Sequence, residues 1–354
     1  MIVNTLLSGD RLRSRLLAII LLAILISLAF APFLFPGTRP LAVSARICIF
    51  VVLVASYDML LGYAGIVSFA HTMFFGFGAY GTAIALKHLG PGWDSILYGA
   101  AGGVALTVVV AFAIGLLSLR VKAIFFAMIT LAAASFVLIL ASQLHGITGG
   151  EDGMTYRVPR LLSPAFKLFD DKVLGVRING RIISYYLVFL SSFFLFLVML
   201  RIVNSPFGRV LQAIRENEFR VEALGYRVVT YRTVAFSISA TMAALAGVMN
   251  AIWLKYTGPD AMLSFAIMID ILLMVVIGGM GSTYGAVIGV VIMSLAQFYL
   301  KDLMAVASQA TEALPIVPEL LDPDRWLLWL GILFVLSVYY FPAGIVGKLR
   351  GIGR

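Results

Sequence analysis

The chain has 354 residues, of which 62% are hydrophobic and 12% are charged, and its formal net charge is +9. Because soluble domains carry about 25% charged residues, this composition excludes a soluble protein and predicts one integral membrane domain over residues 1–354. Cys48 is the only cysteine and only three histidines are present, which excludes an intrachain disulfide. The same scarcity argues against a metal site, so no metal ligands are predicted.

Taken in chain order, ten apolar segments each approach the ~20 residues needed to cross the hydrocarbon core of a membrane. The third, eighth and ninth are short or rich in glycine, so eight or nine spans remain as alternatives. The predicted fold is an all-α, polytopic bundle of about ten transmembrane helices, some of them interrupted. The predicted spans are residues 16–35, 41–61, 66–86, 95–117, 123–144, 183–203, 231–252, 263–279, 285–300 and 326–343.

The N-terminus and the loop charges predict the orientation. Arg11, Arg13 and Arg15 precede the first apolar run, as in a cleaved signal peptide, but the run has the length of an uncleaved span. If the N-terminus is cytoplasmic, the inside segments carry 14 basic and four acidic residues, and the outside segments carry 11 of each. This bias predicts that both termini are cytoplasmic. It also explains the net charge, so no nucleic-acid partner is predicted.

Two segments in opposite halves of the chain are rich in glycine. Residues 61–85 also carry Ser68, His71 and Thr72, which would share one helical face, although a lone histidine is more often packed than a ligand. Glycine permits close helix approach or an interrupted helix, and membrane transporters often bind solutes at interrupted helices. The second segment, 277–290, contains two overlapping GxxxG steps, Gly281, Gly285 and Gly289, which predict close packing.

Ionisable residues inside a membrane are costly and are therefore functional candidates. Arg46, Asp58 and Asp270 are the ionisable residues within the predicted spans, apart from histidine and the ends. Asp58 lies near the cytoplasmic end of its span and can simply reach the interface. Asp270 lies deeper and can pair with Arg46, cap a broken helix or contact a solute. The candidates for a translocation path are Ser68, His71, Thr72, Gly76, Asp270, Gly278 and Gly279.

Residues 205–226, SPFGRVLQAIRENEFRVEALGY, predict a charged amphipathic helix that Pro206 opens and Gly225 closes. It is interpreted as a docking element for a soluble cytoplasmic partner, and the alternative is a helix that lies on membrane lipid.

Two polar loops, 145–182 and 303–325, are predicted to be extracytoplasmic. They are either contact sites for an outer partner or ordinary connections. No G-x-x-x-x-G-K-[ST], HExxH or GxSxG motif occurs, so neither ATP binding by a phosphate loop nor hydrolase chemistry is predicted.

Four motifs resemble the permease family of branched-chain amino acid ABC importers, specifically its LivM-type subunit. They are LGYAGIVSFAHTMFFGFGAY (61–80), ITGGEDGM (147–154), GRVLQAIRENEFRVEALGY (208–226) and LLMVVIGGMGSTYGAVIG (272–289). The resemblance covers about residues 45–345, with the motifs in the family's order. Permeases for urea and short-chain amides share the pattern, and an ion-coupled secondary transporter is a competing class.

The resemblance implies a multi-pass permease of the bacterial inner membrane that is not an enzyme and binds no cofactor. Its implied partners are a LivH-like second permease, two cytoplasmic ATPase subunits that bind ATP and Mg²⁺, an extracytoplasmic solute-binding protein and membrane lipid. Residues 205–228 then correspond to the segment that couples the permease to the ATPase. The implied coupling residues are Arg209, Arg215, Glu216, Glu218, Arg220, Glu222, Ala223 and Gly225.

Overall fold

The computed structural model describes residues 14–118, 123–167, 177–310, 322–341 and 343–351. The N-terminal arginines Arg11 and Arg13, and parts of both polar loops, lie outside these ranges. The α-helices of the described residues are α1 (Arg15–Ala29), α2 (Ala31–Leu34), α3 (Thr38–Asp58), α4 (His71–His88), α5 (Trp93–Ser118), α6 (Ala123–Gln143), α7 (His145–Thr148), α8 (Gly180–Val203), α9 (Pro206–Glu216), α10 (Glu218–Ala223), α11 (Val228–Leu254), α12 (Pro259–Met262), α13 (Phe265–Gly278), α14 (Thr283–Ala310), α15 (Trp326–Tyr340) and α16 (Gly344–Gly351).

Every predicted span contains a helix among its described residues, so the all-α polytopic fold is confirmed. Within the described residues, eight helical segments are long and apolar enough to cross a membrane. The two predicted spans outside this set are the first and the third. The first is broken at Phe30, which ends α1 and precedes α2. The third is α4, whose glycines and polar residues suit a helix that is surrounded by protein rather than by lipid.

The centre of the bundle consists of α3, α4 and α11, which pack against one another and are bordered by α5, α8, α13 and α14. In the most apolar 18-residue stretch of Thr38–Ala64, which comprises α3 and the turn after it, 94% of the chain is buried inside the protein. In the corresponding stretches of α5 and α6, only 22% is buried. The outer helices therefore present apolar surface to lipid or to another membrane chain. Such helices associate through close packing, since lipid is as apolar as the helices themselves.

Glycines set the closest contacts in this bundle. A Cβ atom at Gly78 of α4 would overlap the backbone of Ala244 on α11, and one at Gly247 would overlap the carbonyl of Phe75. The prediction of close packing at the GxxxG steps is confirmed for Gly285 and Gly289, which contact the backbone of α13. Small residues are what permits this approach of helix backbones.

The chain between α3 and α4 is an interrupted helix, as predicted. After Asp58 the helix widens into a π-helix, Met59–Ala64, and ends at Gly65, whose φ of 68° is left-handed. Residues 66–70 are irregular, and α4 begins only at His71. The prediction that Ser68 shares a helical face with His71 and Thr72 is therefore wrong, because Ser68 precedes the helix.

Different connecting segments lie at the two ends of α11. Beyond its C-terminal end, β1 (Met154–Thr155) pairs antiparallel with β2 (Tyr256–Thr257). Tyr156 donates a hydrogen bond to the Ala251 carbonyl at 2.9 Å, which anchors the 145–167 connection to α11. Nearby, Lys255 Nζ donates to the Leu162 carbonyl at 3.1 Å, and partial burial lowers the pKa of this ammonium. At the other end of α11 lie α9 and α10.

Candidate functional site

The charged segment 205–226 folds as two helices rather than as the single helix that its periodicity predicts. Ser205 accepts a hydrogen bond from the Gly208 amide and begins α9, with Pro206 in its first turn. Asn217 is extended (φ −159°, ψ 98°), and its side chain accepts from the Arg220 amide at 3.0 Å to begin α10. An asparagine that caps the next helix competes with continuation of the preceding one, which explains the break. Gly225, with φ 89°, ends the segment.

The apolar residues of the segment lie on two surfaces. Leu211, Ile214 and Val221 are buried against the bundle. Phe219 and Leu224, in contrast, are 85% and 72% exposed. The prediction of one apolar face is therefore wrong for these two residues, because the helix is broken at Asn217. We call Phe219 and Leu224 the apolar pair.

The charged residues named for this segment lie along α9 and α10. Glu218 is different, because both of its carboxylate oxygens accept hydrogen bonds from Arg232 of α11, at 2.8 and 3.0 Å. This bidentate bond braces α10 against the first turns of α11. The remaining named residues are exposed, and they are Arg209, Arg215, Glu216, Arg220, Glu222, Ala223 and Gly225.

Arg215 also reaches back into the bundle. Its Nη1 donates a hydrogen bond to the carbonyl of Gly62, in the π-helix that follows α3. The backbone of Gly62 in turn lies directly against Gly281, in the turn between α13 and α14, with no room for a Cβ atom. Asp58 is 1% exposed and accepts a hydrogen bond from the Gly281 amide at 2.8 Å. We call Asp58, Gly62, Arg215 and Gly281 the junction.

A second contact joins the π-helix Met59–Ala64 to the start of α14. The Tyr63 hydroxyl lies 3.3 Å from Thr283 Oγ1 and accepts from the Thr283 amide at 3.3 Å. Thr283 begins α14, so this hydroxyl satisfies an amide that has no partner within its own helix. The junction has no signal in the sequence. Asp58 is predicted near the membrane interface, whereas the structure buries it against a turn 223 residues away.

His71 and its neighbours are packed inside the bundle. His71 Nε2 lies 3.0 Å from Ser239 Oγ, and Ser239 donates to the Ser56 carbonyl at 2.5 Å. The Tyr57 ring meets the imidazole edge-to-face at 4.9 Å between centroids. Thr72 is buried, and the Leu263 side chain occupies the space beside Gly76. These residues tie α3, α4 and α11 together in this conformation.

The other path candidates lie elsewhere. Ser68 accepts from the Ala70 amide, Gly278 packs on Gly285, and Gly279 packs on the start of α16. The predicted pairing of Asp270 with Arg46 is confirmed, with 3.9 Å between carboxylate and guanidinium. Arg46 also donates to Gln297 at 3.1 Å, so this cluster joins α3, α13 and α14. The structure thus separates the candidates: His71, Thr72 and Gly76 lie on α4, Ser68 precedes it, Gly278 and Gly279 lie at the end of α13, and Asp270 pairs with Arg46.

Long apolar helices with a charged, folded segment at one end define a multi-pass helical membrane protein. Residues 39–338 match the family described as branched-chain amino acid transport system / permease component. The chain therefore belongs to this family of transport permeases, which are not enzymes and act within a system of several subunits.

Curated relatives agree with this assignment. The LivM permease protein of the high-affinity branched-chain amino acid transport system of Salmonella typhimurium is 27% identical over 319 residues, which are 85% of this chain and 68% of the relative. The LivM protein of Escherichia coli is 26% identical over 359 residues, 97% of this chain and 77% of the relative. A probable LivM protein of Methanocaldococcus jannaschii is 26% identical over 69% of this chain and 67% of its own. No solved structure matches the chain significantly.

Proposed function

We propose that the chain is a permease subunit of an ATP-binding cassette importer that moves leucine, isoleucine and valine across the bacterial inner membrane. The family match and the names of the curated relatives support the substrate class. In this proposal the whole chain is one transmembrane domain. Both termini and residues 205–228 are cytoplasmic, and the loop 145–182 is extracytoplasmic, in keeping with the distribution of basic residues.

The observation that carries the proposal is the apolar pair. Phe219 and Leu224 are exposed on a segment whose other exposed residues include five charged ones, Arg209, Arg215, Glu216, Arg220 and Glu222. An aromatic and an aliphatic side chain in a charged rim are typical of an anchor that fills a pocket on a partner protein. A lipid surface explains the segment less well, because helices that lie on anionic membranes carry mainly Lys and Arg on their polar face. Here Glu216 and Glu222 interrupt the basic rim.

The proposed occupant is a groove on a cytoplasmic ATPase subunit. Two such subunits would bind ATP and Mg²⁺, and this chain would bind neither. Closure of the ATPase dimer would displace α9 and α10, and the permeases would alternate between inward-open and outward-open states. A LivH-like second permease would cover part of the outer apolar surface, membrane lipid would cover the rest, and an extracytoplasmic binding protein would deliver the solute.

The proposal is tested by reconstitution of the chain with its partner permease, ATPases and binding protein in proteoliposomes. Uptake of radiolabelled leucine, isoleucine and valine that requires ATP and both ATPases is the expected result. Uptake of urea in place of these amino acids would retain the architecture and replace the substrate. Uptake that follows an ion gradient without the ATPases would refute the importer.

A further inference from the structure

The contacts of α9 with the rest of the chain differ in kind along the helix. Leu211 and Ile214 make buried apolar contacts, which are non-directional and tolerate sliding. Arg215 follows Ile214 near the C-terminal end of α9. Its side chain makes a directional hydrogen bond into the bundle, to the Gly62 carbonyl. Its side chain also runs past Gly65, where a Cβ atom would lie 3.1 Å from Arg215 Cγ.

The acceptor of that bond lies in a widened helical turn. A π-helix carries an extra residue per turn, and such insertions are frequently found at functional sites. The Gly62 carbonyl in this turn receives the guanidinium of Arg215, which supplies a charge-assisted donor from a different element. Arg215 is thus bonded to the interruption between α3 and α4, rather than to a regular helix.

The backbone of the π-helix packs directly against the backbone of the α13–α14 turn. Any side chain at Gly62 would overlap both the Gly281 backbone and the Asp58 carboxylate. The Asp58–Gly281 hydrogen bond of 2.8 Å holds the two backbones in register. A Cβ atom at Gly281 would lie 3.0 Å from Arg215 Nη1, so the guanidinium lies beside both backbones at once.

We propose that Arg215 is the positioning residue that transmits displacement of α9 and α10 to the two interrupted regions, the π-helix Met59–Ala64 and the turn 279–282. The junction moves as one unit, because its backbones touch and its bonds are directional. This inference rests on the proposed function, since it concerns how motion imposed by an ATPase reaches the membrane helices.

The first test compares uptake with ATP hydrolysis in proteoliposomes that contain the complete transporter. In R215Q the ATPase subunits remain bound and hydrolysis continues, but leucine taken up per ATP hydrolysed falls by about tenfold or more, because the charged donor to Gly62 is gone. R215K retains the charge without the planar fork and is expected to be intermediate. K87Q is the control, since Lys87 is an exposed base in the last turn of α4, and it should keep the wild-type ratio.

The second test does not depend on a variant that assembles. Spin labels are placed at the exposed residues Gln212 on α9 and Met280 in the α13–α14 turn. In the otherwise wild-type transporter, the distance between these labels should stay constant between the nucleotide-free and ATP-bound states, while both labels move relative to a third on α5. In R215Q the distance between Gln212 and Met280 should change with nucleotide.

A wild-type ratio of uptake to hydrolysis in R215Q, or a nucleotide-dependent distance between Gln212 and Met280 in the wild type, would overturn the inference alone. If the wild-type chain neither binds the ATPases nor shows ATP-dependent uptake, the proposed function itself fails. The two failures are therefore distinguishable in the same preparations.

Discussion

Removal of the apolar pair should release the ATPase subunits. Phe219 and Leu224 are 85% and 72% exposed, so almost all of their surface is available for burial in a complex. Full burial of one such side chain stabilises by about 1.5–3 kcal/mol, and even the lower value for each gives roughly 3 kcal/mol for the pair. Since about 1.4 kcal/mol corresponds to a tenfold change in Kd, F219A/L224A should weaken ATPase binding by about 100-fold.

The assay is titration of the solubilised permease pair with purified ATPase subunits. The double variant L89A/I147A is the matched control, because Leu89 and Ile147 are 65% and 52% exposed and lie beyond the other end of the bundle. Binding to the control should equal that of the wild type. High salt should change the wild-type Kd little, since screening weakens exposed charge pairs and leaves apolar contacts. An unchanged Kd in F219A/L224A, or an equal loss in the control, would refute the anchor role of the apolar pair.

Three other substitutions probe the packing and the polar links by thermal unfolding of the purified chain. G78A should lower the free energy of unfolding by about 1–3 kcal/mol, because its Cβ would overlap the Ala244 backbone. G102A, at a helical glycine with open space around it, should be neutral or stabilising. Equal effects of the two substitutions would contradict the packing argument. D270N removes the charge partner of Arg46. Because the two groups are 3.9 Å apart and a quarter to a third exposed, we expect a loss of about 1 kcal/mol or less that the double variant R46Q/D270N partly restores, and no restoration would show that the pair is not coupled. E218R should lower the free energy of unfolding by up to about 1 kcal/mol, the range for a partly exposed ion pair, and should lower uptake per ATP hydrolysed. The swapped double variant E218R/R232E should recover both properties. Failure to recover either one would argue against the role of the Glu218–Arg232 pair in holding α10 on α11.

Much of the fold follows from local pattern. Lengths of apolar sequence near the thickness of a membrane predict the helices, because backbone groups in hydrocarbon must bond within their own segment. Each of the ten predicted segments contains a helix among its described residues, although the first is broken at Phe30 and residues 66–70 of the third are irregular. The spacing of Gly285 and Gly289 likewise predicts a close-packed face, since residues four apart share one side of a helix. The amphipathic pattern of 205–226 correctly marks a segment that differs from its membrane-spanning neighbours.

The partners of polar residues were decided only by tertiary structure. Asp58 and Gly281 are 223 residues apart, and Arg215 and Gly62 are 153 apart, so no local period relates them. The exposure of Phe219 and Leu224 depends on the break at Asn217, where a side-chain cap outweighs continuation of the helix. Sequence alone therefore determined which segments are helical and apolar, because those properties depend on neighbouring residues. The junction and the apolar pair required the fold, because they depend on which distant backbones come within hydrogen-bonding distance.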